Sequence, residues 1–236
     1  MAFPIYLAMT AAEFRNAEAL PEHPAWMACH FSCYGTGLSN LPEKLPAGAM
    51  VILNDRTPVY GHDPELVAQQ LSDLADRYQV SRVLLDFQRP GCSRSTDIAA
   101  AIVAALRCPV GVSKTYAAGL DCPVFLPPAP LHKPLAEYLQ PWKEREIWLE
   151  AALDGQTITV TPEGSHFSPV FPAVEESPNF PEDSLFCRYH TEVYDSKAVF
   201  TLFRTPDSLK PLLNHAESLG VTLAVGLYQE IGKYSS

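Results

Sequence analysis

The chain alternates short apolar runs with helical patterns, and a polar, Gly or Pro break follows most of the runs. A short continuous apolar run is typical of a strand buried on both faces, whereas apolar residues at intervals of three and four indicate an amphipathic helix. Such alternation predicts parallel strands joined by crossover helices. The predicted strands are residues 5–9, 26–31, 50–53, 83–85, 110–112, 124–126 and 223–227.

Start and stop signals place helices between these strands. Asp63 and Pro64 predict the beginning of one helix, because Asp is a favoured N-cap and Pro fits the first helical position. Residues 95–97, Ser-Thr-Asp, are expected to cap a second helix that runs through Leu106. A third helix is predicted for residues 206–219, and Gly220 terminates it.

The alternation breaks before the last predicted strand. Asp154-Gly155 lies between two apolar segments and predicts a β-hairpin with a type I′ turn. We expect this hairpin, a Pro-rich loop and a second hairpin at residues 147–161, 162–181 and 185–203. The sequence thus predicts one α/β domain over residues 1–236, an irregular (β/α)8 (TIM) barrel with an antiparallel insertion at 146–203.

Composition narrows the classes of function. The chain has 236 residues, 47% of them hydrophobic, which is enough for a large core. Its net charge of −10, without a Lys/Arg cluster, argues against nucleic-acid or membrane-surface partners. The first residues have no basic region, and no apolar run is long enough to span a bilayer. We therefore expect a cytoplasmic protein.

The cysteine pattern indicates neither a disulfide framework nor a metal site. Six cysteines in a large cytoplasmic chain are expected to remain reduced thiols. Cys29 and Cys33 are four residues apart, but no second pair of ligands has the spacing of a zinc site. We expect no metal and no cofactor, and the sequence leaves the oligomeric state open.

Polar residues follow several predicted strands. In (β/α)8 barrels the chemistry gathers at the carboxyl ends of the strands, where the loops converge. On this ground, and because aromatic faces suit stacking on sugar rings, we predict a ligand site. The predicted site consists of His30, Asn54, Asp86, Gln88, Tyr116, Tyr228, Gln229 and Glu230, with Tyr116 and Tyr228 lining the cleft.

The most informative segment is 83–88, with the sequence VLLDFQ. Asp86 and Gln88 alternate with apolar residues, so both side chains should point into the mouth of the barrel. A carboxylate in that position needs hydrogen bonds or a polar cavity, because burying it alone is costly.

This segment lies on the fourth predicted strand and resembles the family-18 glycoside hydrolases, the chitinases and chitinase-like lectins. Their fourth strand ends in an acidic ladder that closes with Asp-x-Glu, and they carry an α+β insertion before the last strand. The resemblance rests on VLLDFQ, on the order of the barrel and on the late antiparallel insertion. It implies a carbohydrate-related ligand, which Asp86 orients through an N-acetyl group.

The chain departs from that family at two positions. Gln88 stands where the family has its proton-donating Glu, and Leu84 stands where the ladder has an upstream Asp. An amide is no general acid at neutral pH, so the resemblance predicts a barrel that binds a small polar or carbohydrate-derived ligand without efficient hydrolysis.

Two alternatives remain. The first is an active glycoside hydrolase in which Glu230 or Glu150 is the general acid, which requires two carboxyl groups roughly 5–9.5 Å apart across the substrate. The second is a structural or partner-binding barrel without a small-molecule site. An open polar pocket with a second carboxylate near Asp86 favours the hydrolase, and a mouth plugged by the hairpins favours the structural barrel.

Overall fold

The computed structural model of the chain describes residues 3–170 and 179–233. Its strands are β1 (Ile5–Met9), β2 (Pro24–Phe31), β3 (Leu38–Ser39), β4 (Met50–Asn54), β5 (Arg82–Asp86), β6 (Val110–Ser113), β7 (Val124–Leu126), β8 (Ile147–Ala151), β9 (Gly155–Thr161), β10 (Gly164–Val170), β11 (Phe180–Glu182), β12 (Cys187–Tyr194), β13 (Lys197–Phe203) and β14 (Val221–Leu227). Its α-helices are α1 (Ala11–Asn16), α2 (Pro64–Tyr78), α3 (Ser93–Ala105), α4 (Leu135–Leu139), α5 (Pro206–Ser218) and α6 (Tyr228–Ile231), and a 3-10 helix follows α4 at Gln140–Trp142.

Eight parallel strands in the described part of the chain form a closed barrel. Their order around the barrel is β1, β2, β4, β5, β6, β7, β8 and β14, and β14 pairs with β1 to close the ring. The predicted (β/α)8 barrel is therefore confirmed. It is irregular, because within the described residues no helix joins β2 to β4 or β6 to β7.

The predicted hairpin arm at 147–153 is wrong, because Ile147–Ala151 is the seventh strand of the barrel. Leu149 pairs in parallel with Leu126 on one side and with Ala224 on the other. Most of β8 is buried, as expected for a parallel strand covered on both faces. The Asp154-Gly155 pair therefore marks the end of a barrel strand, where the chain enters the insertion.

The antiparallel insertion before the last strand is confirmed as a five-stranded sheet, in the order β10-β9-β13-β12-β11. The second predicted hairpin is β12 and β13, which pair from Arg188–Phe203 to Tyr194–Lys197. The loop predicted at 162–181 is wrong in part, because Gly164–Val170 forms the edge strand β10. Residues 171–178 of that segment lie outside the described residues.

The barrel has an inner core and an outer core. A small apolar cluster fills the interior, whereas a larger cluster lies between the strands and the helices. Gly111 makes room for the largest inner side chain, because a Cβ at this position would lie 2.2 Å from an indole carbon of Trp148. The inner cluster consists of Tyr6, Ala8, Ala25, Met50, Ile52, Leu84, Phe125, Trp148, Leu223 and Val225.

The helix boundaries follow their capping residues. Asp63 caps α2 as predicted, with Oδ1 accepting the backbone N–H of Glu65 at 3.0 Å. The predicted cap at 95–97 is wrong, because α3 begins at Ser93 and its N-cap residue Cys92 makes no capping side-chain hydrogen bond. Gly220 follows α5 with φ of +93°, the left-handed conformation that favours glycine at a helix end.

A buried arginine anchors the insertion to the barrel. Arg204 is 3% exposed and pairs through Nη1 with the carboxylate of Asp154, which follows β8. Its Nη2 donates to the carbonyl of Ala129 at 2.7 Å, in the loop after β7. The guanidinium therefore joins the end of β13 to two loops of the barrel rim.

In the described residues no helix is long and apolar enough to cross a membrane.

Candidate functional site

Polar side chains meet at the carboxyl ends of three adjacent strands. His30 pairs in register with Asn54, and Asn54 pairs with Asp86, so these residues lie at one level of the barrel. A cavity of about 260 Å³ lies at this end. It is lined by Ala8, Met27, Ile52, Asn54, Asp55, Arg56, Leu84, Asp86, Gln88, Phe125, Glu150, Val225, Gly226 and Leu227.

Asp86 and Gln88 form the polar pair that the alternation of β5 predicts. Gln88 Nε2 lies 3.2 Å and 3.3 Å from the two carboxylate oxygens of Asp86, to which it donates. Burial raises the pKa of Asp86 above its ordinary value, and nearby Asp55 adds to this, whereas Gln88 and Arg56 act in the opposite direction. The pair combines acceptor oxygens with an amide at the edge of the cavity.

A buried carboxylate holds the loop that carries Gln88. Asp55 is 4% exposed and accepts the backbone N–H groups of Gln88 at 3.0 Å and Arg89 at 2.9 Å. Tyr116 supports the same loop from outside, since its hydroxyl donates to the carbonyl of Arg89. The position of Gln88 is therefore fixed by the end of the neighbouring strand β4.

Glu150, on β8, lines the same cavity as Asp86. Among the residues that the structure describes, its carboxyl group has no hydrogen-bond partner. Burial raises the pKa of Glu150 to about 7, and the carboxyl groups of Asp86, Glu230 and Asp154 contribute in the same direction. A carboxyl group with a pKa near neutrality suits proton transfer, since both protonation states are populated there.

A second cavity of about 340 Å³ adjoins the first. The two share four lining residues: Asp86, Gln88, Phe125 and Glu150. The second cavity extends outward over the rim of β6 and the loop after β7. Its remaining lining residues are Phe87, Ser113, Lys114, Thr115 and Pro127.

Asn54 lines the first cavity, but its side chain is used by the backbone. The amide nitrogen donates to the carbonyls of Met27 at 3.3 Å and Cys29 at 3.1 Å, where the register between β2 and β4 shifts. Its carbonyl oxygen accepts the N–H of Arg56 at 3.2 Å. We infer that Asn54 stabilises the bulge and contributes little free hydrogen-bonding capacity to the cavity.

Five of the predicted site residues line neither cavity. His30 contacts the carbonyl of Phe31 and the side chain of Asn40, while Glu230 accepts the backbone N–H of Leu153. Gln229 is exposed on α6. The two tyrosines were expected to line the cleft, but neither lines a cavity. Tyr116 is 5% exposed in the outer core, and Tyr228 packs against that core.

The described residues contain no disulfide bond and no cluster of side chains that could hold a metal ion. All six cysteines are free thiols. In residues 3–170 and 179–233 no group of three or more His, Cys, Asp or Glu side chains is placed to hold a metal ion.

Comparison with known proteins places the fold. No protein-family model and no curated protein matches the sequence. The structure matches the spore cortex-lytic enzyme SleL of Bacillus cereus with a TM-score of 0.58 at 11% identity, over 95% of this chain and 70% of that one. It matches a glycoside hydrolase family 18 N-acetylglucosaminidase of Paenibacillus barengoltzii with a TM-score of 0.58 at 10% identity, over 95% and 94%.

A third match is a family 18 chitinase of Cycas revoluta, a double mutant in complex with (GlcNAc)4, with a TM-score of 0.56 at 11% identity over 94% of both chains. The chain has the fold of the family-18 glycoside hydrolases. The distant resemblance to this family is thus confirmed, and at these identities it extends to the fold alone.

The structure adds residues that the sequence did not assign to the site. Phe125 presents an aromatic side chain to both cavities, and Arg56 and Lys114 bring one cation to each. The sequence predicts Glu150 in a hairpin arm, whereas the structure places it on the barrel strand β8. Its inward orientation follows from the alternation of side chains along β8: Glu150 lies on the same face as Trp148, which is part of the inner cluster.

Proposed function

We propose that the protein binds a carbohydrate-derived ligand in the mouth of the barrel, with Asp86 and Gln88 as its polar anchors. The observation that carries this proposal is the cavity of about 260 Å³ in which both side chains meet an apolar floor. Ligand sites of this kind are concave and mostly apolar, with a few polar groups that fix orientation. A cavity of this size suits one sugar ring.

The chemistry of the cavity favours a neutral, hydroxyl-rich or amide-bearing group. The acidic side chains that line the cavity, Asp55, Asp86 and Glu150, outnumber the one cation among its described lining residues, Arg56, so the cavity disfavours an anion. Carboxyl oxygens also accept hydrogen bonds from hydroxyl and N-acetyl N–H groups. Phe125 offers an apolar face for the C–H side of a sugar ring. In the Cycas revoluta chitinase, the protein seen with (GlcNAc)4 includes a Glu-to-Gln change, so that barrel holds a sugar chain with an amide in place of a carboxyl group.

The absence of efficient hydrolysis by the family's mechanism is part of the proposal. Gln88 donates its amide hydrogen to Asp86 and has no acidic proton for a leaving oxygen. The structural alternative has less support, because no described residue of the inserted sheet lines either cavity.

The test is a thermal-shift screen with N-acetylglucosamine, N,N′-diacetylchitobiose and glucose, followed by calorimetric titration. A ligand that binds only the folded state raises the melting temperature. We expect at least one aminosugar to raise it in the unmodified protein, and Asp86→Ala to abolish the shift. Glu43→Ala, in an exposed loop, is the matched control. If no sugar raises the melting temperature, or if Asp86→Ala responds equally, the proposal is wrong.

A second candidate is hydrolysis with Glu150 as the general acid. The observation that favours it is that Glu150 shares both cavities with Asp86 and has a pKa raised to about 7. In this scheme the Glu150 carboxyl donates its proton to the departing glycosidic oxygen as the C–O bond breaks. Water then adds to the anomeric carbon and gives its proton to Asp86.

Release of 4-nitrophenol from 4-nitrophenyl N-acetylglucosaminide and chitobioside separates the two candidates. Binding without hydrolysis predicts no turnover in the unmodified protein. The variant Gln88→Glu is included because it restores a carboxylic acid at the position where the family-18 glycoside hydrolases have their proton donor. Hydrolysis through Glu150 predicts turnover that Glu150→Gln lowers by a factor of about 100 or more, as for loss of a general acid. Turnover that Glu150→Gln leaves unchanged contradicts the second candidate.

A further inference from the structure

We propose that the second cavity is a subsite for a sugar unit that carries a carboxylate, and that the ammonium group of Lys114 recognises it. This inference rests on the proposed function, since it concerns the unit that follows the sugar in the first cavity. The two cavities meet at the four residues that they share, so a ligand can continue from one to the other without leaving the cleft.

The position of Lys114 is fixed by the barrel. Its backbone N–H donates to the carbonyl of Phe125 at 3.0 Å, which continues the ladder between β6 and β7 beyond the end of β6. Ser113, directly before it, is buried and donates its hydroxyl to the carbonyl of Leu85 at 2.9 Å. The long side chain of Lys114 therefore projects from an anchored point on the cavity wall.

The ammonium group of Lys114 lacks a protein partner. In residues 3–170 and 179–233 it forms no ion pair and no side-chain hydrogen bond, whereas Lys133 and Lys143 pair with neighbouring glutamates. Lys114 is also the single cation among the described residues that line the second cavity. The hydroxyl of the adjacent Thr115 has no hydrogen-bond partner among the described residues either. The ammonium of Lys114 and this hydroxyl are therefore two neighbouring hydrogen-bond donors.

These two donors suit a carboxylate. A lysine ammonium is a compact, strongly hydrated charge that pairs with anionic oxygen, and a hydroxyl can donate to the second oxygen. The carboxyl groups of Asp86 and Glu150 stand at the junction of the cavities, where they disfavour an anion. Arg56, the cation of the first cavity, acts electrostatically on Asp86, whereas Lys114 forms no ion pair within the described residues. This difference favours a neutral unit in the first cavity and an acidic unit in the second.

The test compares two disaccharides that differ by one carboxylate. The probes are N,N′-diacetylchitobiose and the β-1,4-linked disaccharide of N-acetylglucosamine and N-acetylmuramic acid, in both orders of the two units. Titration calorimetry in 50 mM salt should give about fivefold tighter binding of one acidic disaccharide, the upper end for an exposed ion pair. The preference should decrease in 0.5 M salt because the ions screen the charges.

Lys114→Met should remove this preference, so that the variant binds the neutral and the acidic disaccharides equally, and a cooperative urea unfolding transition shows that it is folded. Lys133→Met, on a lysine outside both cavities, should keep the preference. Equal affinities of the unmodified protein for the neutral and acidic disaccharides, or a preference that survives Lys114→Met, overturn the inference while the proposed sugar site stands. If no mono- or disaccharide binds at all, the proposed function itself fails.

Discussion

Replacing Glu150 by glutamine is expected to flatten the dependence of folding stability on pH. Glutamine has nearly the same shape as glutamate, so it removes the titration and keeps the packing of β8. The pKa of Glu150 is raised from 4.5 to about 7, first by burial and then by the carboxyl groups of Asp86, Glu230 and Asp154. In the unfolded chain Glu150 titrates near its ordinary value.

The sign follows from the two protonation states. Below about pH 4.5 Glu150 is protonated in both the folded and the unfolded chain, so its titration does not affect stability. Between about 4.5 and 7 the unfolded chain releases the proton and the folded protein retains it. The free energy of unfolding therefore falls as pH rises through this window, by up to about 3 kcal/mol in total.

The assay is urea unfolding of the unmodified protein, Glu150→Gln and Glu43→Gln between pH 4 and pH 8. We expect the stability of Glu150→Gln, relative to the unmodified protein, to increase from pH 5 to pH 7.5 by about 2–3 kcal/mol. The control variant, changed in an exposed loop, should run parallel to the unmodified protein. A difference between the unmodified protein and Glu150→Gln that does not change with pH refutes the reasoning, since Glu150 would then have no raised pKa.

Two further predictions concern the framework of the barrel. Gly111→Ala should lower the free energy of unfolding by about 1–3 kcal/mol, because its Cβ would meet the indole of Trp148, whereas Gly61→Ala, in open space, should change it by less than about 0.5 kcal/mol in the same urea titration. Arg204→Met should lower the free energy of unfolding by about 1–3 kcal/mol, because it removes the hydrogen bonds of the guanidinium to Asp154 and to the carbonyl of Ala129. Limited proteolysis of that variant should cleave first within the inserted sheet, and cleavage elsewhere first would contradict the anchoring role.

The sequence predicts the fold correctly wherever the apolar pattern is compatible with only one secondary structure. Strands such as β4 and β5 are short apolar runs bounded by polar residues, and helix α2 has both an N-cap and a regular apolar stripe. Strand β8 has an equally strong run, but the Asp154-Gly155 pair after it is also the signature of a hairpin. Only the pairing of β8 with β7 and β14 decides between a barrel strand and a hairpin arm, and this pairing is a tertiary contact.

The edge strand β10 shows the opposite error. Its Pro169 and its flanking Gly and Pro residues indicate a loop, because Pro cannot donate to a strand ladder. An edge strand tolerates Pro when the missing donor faces outward, and β10 pairs only with β9 in the described sheet. A local pattern cannot reveal which strand lies at an edge.

The same distinction explains which of the predicted residues line the cavities. The strands that end at Asn54 and Asp86 are predicted correctly from the sequence. Because side chains alternate along a strand, the pattern also predicts that Asn54, Asp86 and Gln88 point into the mouth of the barrel. Tyr116 also follows a strand, but its backbone N–H turns back to the carbonyl of Ser113, and the side chain packs in the outer core. Proximity to a strand end is therefore insufficient when a turn begins within three residues.

Gln88 and Glu150 are connected through the charge of the cavity. If residue 88 were a glutamate, it would add a fourth carboxyl group to the cavity that Asp55, Asp86 and Glu150 line, and mutual repulsion would oppose the ionisation of these groups. As an amide, Gln88 instead donates to both oxygens of Asp86 and opposes the rise in the pKa of Asp86 that burial causes, while Glu150 remains the group with the strongly raised pKa. The cavity thus holds one carboxylate that Gln88 anchors and one carboxyl group, that of Glu150, whose pKa is raised to about 7. It follows that Gln88→Glu should raise the pKa of Glu150 further, and a carbon-detected NMR titration of the side-chain carboxyl groups that finds this pKa unchanged would show that residues 88 and 150 do not interact.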